Sequence, residues 1–501
     1  MPTLSIASIL AESAVRHAGR DAVVMGPQRT TYAELWADAR RYAAALRERG
    51  VGPGDKVAVL IPNVPDFPKT YYGVLALGAV VVPVHALLKA EEIEYVLRDS
   101  GAKVLVCHDA LQGEGAKGAE LAEVPLVSPS ALAEAATQVD TYVQRDAADE
   151  AVILYTSGTT GKPKGAVLSH LNVVMNVTIS AFDVIGLRPD DVILGCLPLF
   201  HSFGQTCAMN SGFRAGATLV LMPRFDGPAA LDAIEAYGVT VFEGVPTMYI
   251  ALLEAARTDE RRPRLRIAVS GGASLPMAVM DRWRETFGSE IYEGYGLSET
   301  SPVATFNHES IGRKPGTVGT PIWGVDVEIA KAEVEGSIEL VTAPGEIGEV
   351  VIRGHNVFTG YLNNDEATRA AIVDGWFRSG DLGTKDEDGF VSIVDRKKDM
   401  VLRGGYNVYP REVEEVLLRH EGIGQVAVIA LPDPTHGEEV CAVVVRSPEA
   451  GDLTAEDVVA WSKERLAAHK YPRVVHFVDA FPLGPSGKVL KRELVARFAG
   501  E

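Results

Sequence analysis

Cysteine is scarce in this chain of 501 residues, and Cys107, Cys196, Cys207 and Cys441 show neither close pairing nor metal-ligand spacing. That argues against a disulfide scaffold or a structural zinc site and leads us to expect a reduced, cytoplasmic setting. Positive charge is also short: 48 Lys and Arg stand against 67 Asp and Glu, a formal net charge of −19. This balance argues against nucleic acid as a bulk partner, which needs a basic face, and disfavours adhesion to anionic membranes. Long apolar runs are missing. The longest, Val74 to Leu88, is broken by Gly78 and Pro83 and is too short to span a bilayer, so no transmembrane segment is expected. The N-terminus has neither the basic nor the apolar region of a signal peptide, and no internal repeat or low-complexity tract is visible.

What remains is an ordinary globular composition, 47% apolar and 23% charged, on a chain too long for one compact core, so two or more domains are expected. Helical spacing over Tyr32 to Arg49 stops at Gly50, followed by a strand at Lys56 to Ile61 and a helix at Asp66 to Leu77. Strands at Val80 to Val84 and Lys103 to Cys107 flank a helix at Ala90 to Arg98. Further strands read at Val192 to Cys196, Thr218 to Met222, Val239 to Glu243 and Arg266 to Ser270. This alternation predicts an α/β class, parallel sheets covered by helices. Near Pro344 the texture changes. Strands at Glu346 to Gly354 and Gly389 to Val394 lead to the charged run Asp395-Arg396-Lys397-Lys398-Asp399 and the pair Gly404-Gly405. A helix from Pro410 to Arg419, a strand at Gln425 to Leu431, a helix from Ala455 to His469 and a strand at Val474 to Val478 complete a small α+β module. The expected division is a large N-terminal domain over 1–394, a hinge over 395–398 and a small mobile domain over 399–501.

The most informative stretch is YTSGTTGKPKG, Tyr155 to Gly165. Glycines let backbone approach a ligand closely, and consecutive N–H groups with hydroxyls and lysines make a phosphate cradle. It is not a Walker A loop, because only two residues separate Gly158 from Gly161 and Pro163 follows Lys162. Proline disfavours helical geometry in the residue before it, so no phosphate-binding helix can start at Lys162, and a mobile loop is expected. Four further strings stand out. These are PLFHSFG around His201, SGGASLP from Ser270 to Pro276, YEGYGLSET from Tyr292 to Thr300, and WFRSGDLG around Asp381. A flat ring such as Tyr295 can stack on a base, Glu299 offers a hard oxygen donor for Mg²⁺, and one carboxylate such as Asp381 can accept from both hydroxyls of a ribose. Lys488, in PLGPSGKVLKREL, is a compact cation on a flexible stem. Taken singly, each has a plainer reading: a turn, a strand-end histidine, a solvated charge.

Together, and in this order, the strings resemble those of the acyl-adenylate-forming superfamily, and the chain looks most like its fatty acyl-CoA synthetase branch. The resemblance runs over nearly the full length. It implies an enzyme that joins a carboxylic acid to AMP with release of pyrophosphate and then passes the acyl group to a thiol, using ATP, Mg²⁺ and CoA. By the same resemblance Thr156, Ser157, Gly158, Thr159, Thr160, Gly161 and Lys164 cradle the phosphates, with Thr156 and Glu299 holding the metal. Gly271, Gly272 and Ala273 would lie along the adenine and the acyl tunnel, and Glu293, Gly294, Tyr295, Gly296 and Ser298 along the nucleotide. The commonest family version has Thr where this chain has Ser298, and the hydroxyl is retained. Asp381 and Arg396 would take the ribose edge, Lys398 the pivot, and the Gly404-Gly405 hairpin the pantetheine tunnel. His201, Glu299 and Lys488 would act at the reacting groups, with Phe203 and Met209 in the acyl pocket. The tract SETSPVATFN looks like the version in bacterial medium- and long-chain fatty acyl-CoA ligases, and the apolar stretch GVPTMYIALL, Gly244 to Leu253, offers no obvious cation for a second carboxylate, so medium- or long-chain fatty acids are the expected substrates. Malonate, aromatic acids and an acyl-carrier-protein acceptor stay open, as does a homodimer. No carrier domain follows Glu501, which favours CoA as acceptor.

Overall fold

Runs such as Val80–Pro83 and Val104–Cys107 are four residues long and buried at every position, as strands covered on both faces must be. In the computed structural model, which describes residues 3–156, 162–259, 261–448, 450–484 and 488–499, they are central strands of a seven-stranded sheet. Lys56–Leu60 lies between these two strands, parallel to both, and Glu150–Thr156 adds in parallel beyond Val80–Pro83. Lys164–Ser169 then folds back antiparallel on Glu150–Thr156, with Thr156 opposite Lys164. The glycine-rich stretch therefore joins the two arms of a hairpin, and a strand rather than a helix follows Pro163.

A second sheet of nine strands has a parallel centre formed by Asp21–Met25, Thr218–Leu221, Val192–Gly195, Val241–Gly244, Ile267–Ser270 and Ile291–Gly296. The helix Asp66–Ala76 is buried on nearly every side, as a helix packed between two layers must be. Its Tyr72 donates to Asn210 at 2.7 Å, and Asn210 donates to Tyr71 at 3.1 Å, so this apolar layer contains a satisfied polar knot. Thr31 begins the helix Tyr32–Glu48 with a capping box to Glu34. Residues 203–210 form a π-helix, a conformation that no sequence periodicity announces.

After Thr320–Pro321 the chain builds a five-stranded antiparallel sheet from Val325–Ala330, Gly348–Gly354, Ile372–Val373, Trp376–Lys385 and Val391–Arg396. After four intervening residues a separate five-stranded sheet opens with Val401–Arg403. Its main hairpin, Ile423–Asp433 with Gly437–Arg446, has its own apolar core including Val413, Leu417, Val428 and Val440. A large α/β body with a small α+β module is thus the architecture. One helix differs from expectation: Ala455–Lys463 ends six residues before His469. The amides of Arg465 and Leu466 both turn back to the Ser462 carbonyl, so the helical ladder closes in a tight turn ahead of Pro472. No helix among the described residues is long and apolar enough to cross a membrane.

Candidate active site

His201 is held by residues far away in the chain. Asn63 donates to the carbonyls of Gly195 and Leu197 at 3.2 and 2.7 Å and accepts from Leu199 N–H at 2.9 Å, bracing the segment that leads to the histidine. Gly204 closes the turn, because a Cβ there would collide with Pro198 O. The Phe203 amide donates to His201 Nδ1 at 3.3 Å, which leaves the proton of the neutral ring on Nε2. Burial first, then Lys488 and His85, drives this histidine down to about 3, so it is neutral at pH 7.

The strand Ile291–Gly296 carries the next group. Gly294 faces the ring of Phe306, and a Cβ on Gly296 would collide with Pro302 O, so only glycine permits the sharp turn into Ser298–Thr300. Ser298 is half-buried at the start of that turn, and Glu299 is buried within it. Tyr361 donates to Glu299 Oε1 at 2.9 Å, and Thr156 Oγ1 stands 3.5 Å from the same oxygen. Lys164 Nζ lies 5.1 Å from the centre of the Tyr361 ring. Glu299, Thr156, Tyr361 and Lys164 therefore meet at one end of the cleft. Glu293 lies beneath the Ser270–Pro276 turn instead. It accepts from Leu275 N–H at 3.2 Å, its other oxygen has no partner, and burial, opposed by Arg411 and the Leu275 amide, pushes it up to about 7.

At the other end Tyr295 donates to Asp381 Oδ2 at 2.6 Å, and Arg396 Nε stands 3.1 Å from Asp381 Oδ1. Asp381 and Arg396 are direct cross-strand partners, which fixes that pair. Gly271 is buried against the ring of Phe203, whereas Gly272 and Ala273 are exposed. Gly272 has φ +78° and lies so near Lys488 that a Cβ there would stand 3.6 Å from Lys488 Cε. Burial and then Arg396 drive Lys488 down to about 8, against the pull of Asp381 and Glu299. One lysine from the small module thus stands among His201, Asp381, Arg396 and Glu299 of the large body.

The remaining expected residues lie elsewhere. Lys398 is exposed in the connection between the third and fourth sheets, three residues after Asp395, whose carboxylate accepts from Arg411 N–H at 2.9 Å. Gly404 and Gly405, at φ +56° and +85°, form the turn of the hairpin Val401–Arg403 with Tyr406–Val408, and both face solvent. Ser157, Gly158, Thr159, Thr160 and Gly161 lie outside the described residues. Met209 is fully buried inside the π-helix, and Phe203 presents its ring to Gly271. For a divalent cation, Glu299 and Thr156 offer the hard oxygens that Mg²⁺ prefers. The acidic group Asp433, His436 and Glu439 in the small module is already engaged, Glu439 by Arg403 at 2.6 Å. Asn63, Tyr361 and Arg411 were not marked by any local pattern, since each acts on residues distant in the chain.

A large α/β body and a small α+β module that bring one lysine against two carboxylates and a neutral histidine define the class of two-domain acid-activating ligases. Residues 10–362 match the family of AMP-binding enzymes, and residues 412–488 match the AMP-binding enzyme C-terminal domain; the chain belongs to this family of acid–thiol ligases. Members use ATP, Mg²⁺ and CoA. A long-chain-fatty-acid–CoA ligase of Bacillus subtilis is 35% identical, covering 99% of this chain and 95% of its own. A feruloyl-CoA synthase of an Amycolatopsis species is 37% identical, covering 97% and 96%. Among solved structures, ATP-bound MatB from Rhodopseudomonas palustris is 33% identical and superposes with a TM-score of 0.90, covering 98% and 99%, while its apo form superposes at 0.79.

Proposed function

We propose that this ATP-dependent CoA ligase acts on monocarboxylic acids with an apolar body, medium- or long-chain fatty acids foremost, and that the described geometry is its adenylating arrangement. The observation that carries the second part is Lys488 docked beside Gly272 while Gly404-Gly405 faces solvent. The greater likeness to the ATP-bound form of MatB supports it. A carboxylate is a poor acyl donor because its leaving group would be oxide. Its oxygen attacks the α-phosphorus, the bond to the bridging oxygen breaks and pyrophosphate leaves, giving a mixed anhydride. The sulfur of CoA then attacks the acyl carbon, the carbon–oxygen bond to AMP breaks, and the thiol proton is released.

Lys488 screens the two anionic groups as they meet. His201, neutral with its proton on Nε2, donates to the acid's carboxylate. Asp381 accepts from the ribose hydroxyls with Arg396 beside it, and Tyr295 and the glycines Gly271, Gly272, Gly294 and Gly296 shape the nucleotide wall along with Ala273 and Ser298. Glu293 sets the Ser270–Pro276 turn from below. Thr156, Lys164 and residues 157–161 take the phosphates, and Thr156 with Glu299 would hold Mg²⁺, which supplies charge neutralisation at those phosphates. The small module over 399–501 then pivots about residues 395–398, with Lys398 as the pivot, to bring Gly404 and Gly405 to the pantetheine.

Phe203, Cys207 and Val269 are buried behind the reacting groups, and Glu243, the buried acid beside Cys207, has no cation near it among the described residues. A second carboxylate on the acid would meet no counter-charge there. Saturated monocarboxylic acids of medium chain are therefore expected to outperform malonate and acetate, with preference rising by roughly 0.8 kcal/mol per buried CH₂ until the pocket ends. Pyrophosphate release with octanoate, hexanoate, acetate and malonate, each with ATP and CoA, checks this. Faster turnover of malonate than of octanoate contradicts it. Aromatic acids form a second reading, favoured by the likeness to a feruloyl-CoA synthase.

A further inference from the structure

Side chains alternate between the two faces of a strand, so Val241–Gly244 must send Phe242 and Glu243 opposite ways. The Phe242 ring lies 5.0 Å from that of Tyr249 and 6.3 Å from that of Trp283, on the face covered by the helices Pro246–Ala255 and Met277–Phe287. Glu243 therefore points to the opposite face, toward the π-helix Phe203–Asn210, where its charge reaches Cys207. There it has no exposure at all, and neither carboxyl oxygen has a hydrogen-bond partner. Burial alone pushes it up to about 8, so at pH 7 it is mainly the neutral acid, able to donate one hydrogen bond and accept others. A native fold rarely leaves such a group unpaired without a use for it.

The strand register places Glu243 with respect to the chemistry. It pairs with Val269, two residues before Gly271, which is about 7 Å along the strand. Gly271 faces the ring of Phe203, and the next residue, Gly272, faces Lys488. A line from the lysine to the carboxyl of Glu243 thus runs past Gly271, which the Phe203 ring covers, with Phe203 and Cys207 four residues apart on one helix beside it. We propose that Glu243 is a specificity-determining residue: its unpaired carboxyl at the far end of this line takes a hydrogen bond with a hydroxyl on the body of the substrate acid, about one aromatic ring or six to eight carbons from the carboxylate. The proposal rests on the reading of the site as one for apolar-bodied monocarboxylic acids, and adds a polar requirement at the far end. A site built to bond a hydroxyl discriminates against the analogue lacking it, because its own buried group is then left unpaired.

The test compares two matched pairs, octanoate with 8-hydroxyoctanoate and cinnamate with 4-hydroxycinnamate, by kcat/KM for pyrophosphate release. The wild type, Glu243→Gln, Glu243→Leu and Glu243→Met are measured side by side, Met standing in should Leu not fold. The wild type is expected to favour the hydroxylated member of at least one pair by about 10-fold or more. Glu243→Gln is expected to keep that preference, and Glu243→Leu and Glu243→Met to reverse it while unfolding at the same temperature as the wild type or higher. A preference for the plain acid in both wild-type pairs, or a ratio unchanged in the apolar variants, overturns the proposal. If octanoate and cinnamate react but the hydroxyl makes no difference, only the role of Glu243 falls. If none of the four acids reacts, the reading of the acid's body falls as well.

Discussion

Replacing Lys488 by alanine is expected to slow acyl-adenylate formation by about 10²-fold or more, about 2.7 kcal/mol of transition-state stabilisation, while leaving thioester formation from supplied acyl-AMP largely intact. The effect is electrostatic. A carboxylate and an α-phosphate repel one another as they approach, and the ammonium beside Gly272 is the cation that the small module brings to that meeting. Burial and Arg396 hold Lys488 at about 8, so the free site carries a cation ready to be relieved by incoming negative charge. Once the anhydride exists and pyrophosphate has left, that charge has no further part to play. Equal slowing of both half-reactions would assign Lys488 to the site's architecture instead.

The second large effect is expected at Glu299. Glu299→Gln keeps the size of the side chain and an oxygen for the Tyr361 hydroxyl, which donates at 2.9 Å, so the fold should persist with its melting temperature near that of the wild type. The lost negative charge is the one that would hold Mg²⁺ beside Thr156. Adenylation is expected to fall by about 10²-fold or more and to demand higher Mg²⁺ for its residual rate. A Mg²⁺ titration of pyrophosphate release in the two proteins reads this directly. An unchanged rate and an unchanged Mg²⁺ midpoint would remove Glu299 from the metal site.

Much of this was legible in the residues themselves. Short apolar runs between helical stretches marked seven of the parallel strands of the two large sheets to within a residue or two, because strands buried on both faces cannot hide their composition, whereas the antiparallel edges of both sheets were not foreseen. Pro163 correctly excluded a helix after the glycine-rich stretch, and a hairpin arm takes its place. The clustering of His201, Glu299, Asp381 and Lys488 was implied by the resemblance that the ordered strings carry to the acyl-adenylate-forming superfamily. What was not legible depends on partners far away in the chain. Asn63 braces a segment 132 to 136 residues on, and Tyr361 reaches Glu299 across 62. Glu243 looks like an ordinary strand-end polar residue until the register turns it inward. The early end of the helix at Lys463 reflects a turn closed on Ser462, which apolar spacing does not encode.

The central claim is that one cleft serves two reactions by presenting two faces of the small module in turn. The exposed Lys398, at the connection between the third and fourth sheets, is where that claim is most directly tested. Proline there would restrict φ at the proposed pivot without touching the docked lysine. Acid-dependent pyrophosphate exchange and CoA-dependent consumption of preformed acyl-AMP should be measured separately in Lys398→Pro. The account predicts exchange close to that of the wild type and thioester formation slower by about 10-fold or more. Equal loss in both reactions, or loss in neither, would contradict it.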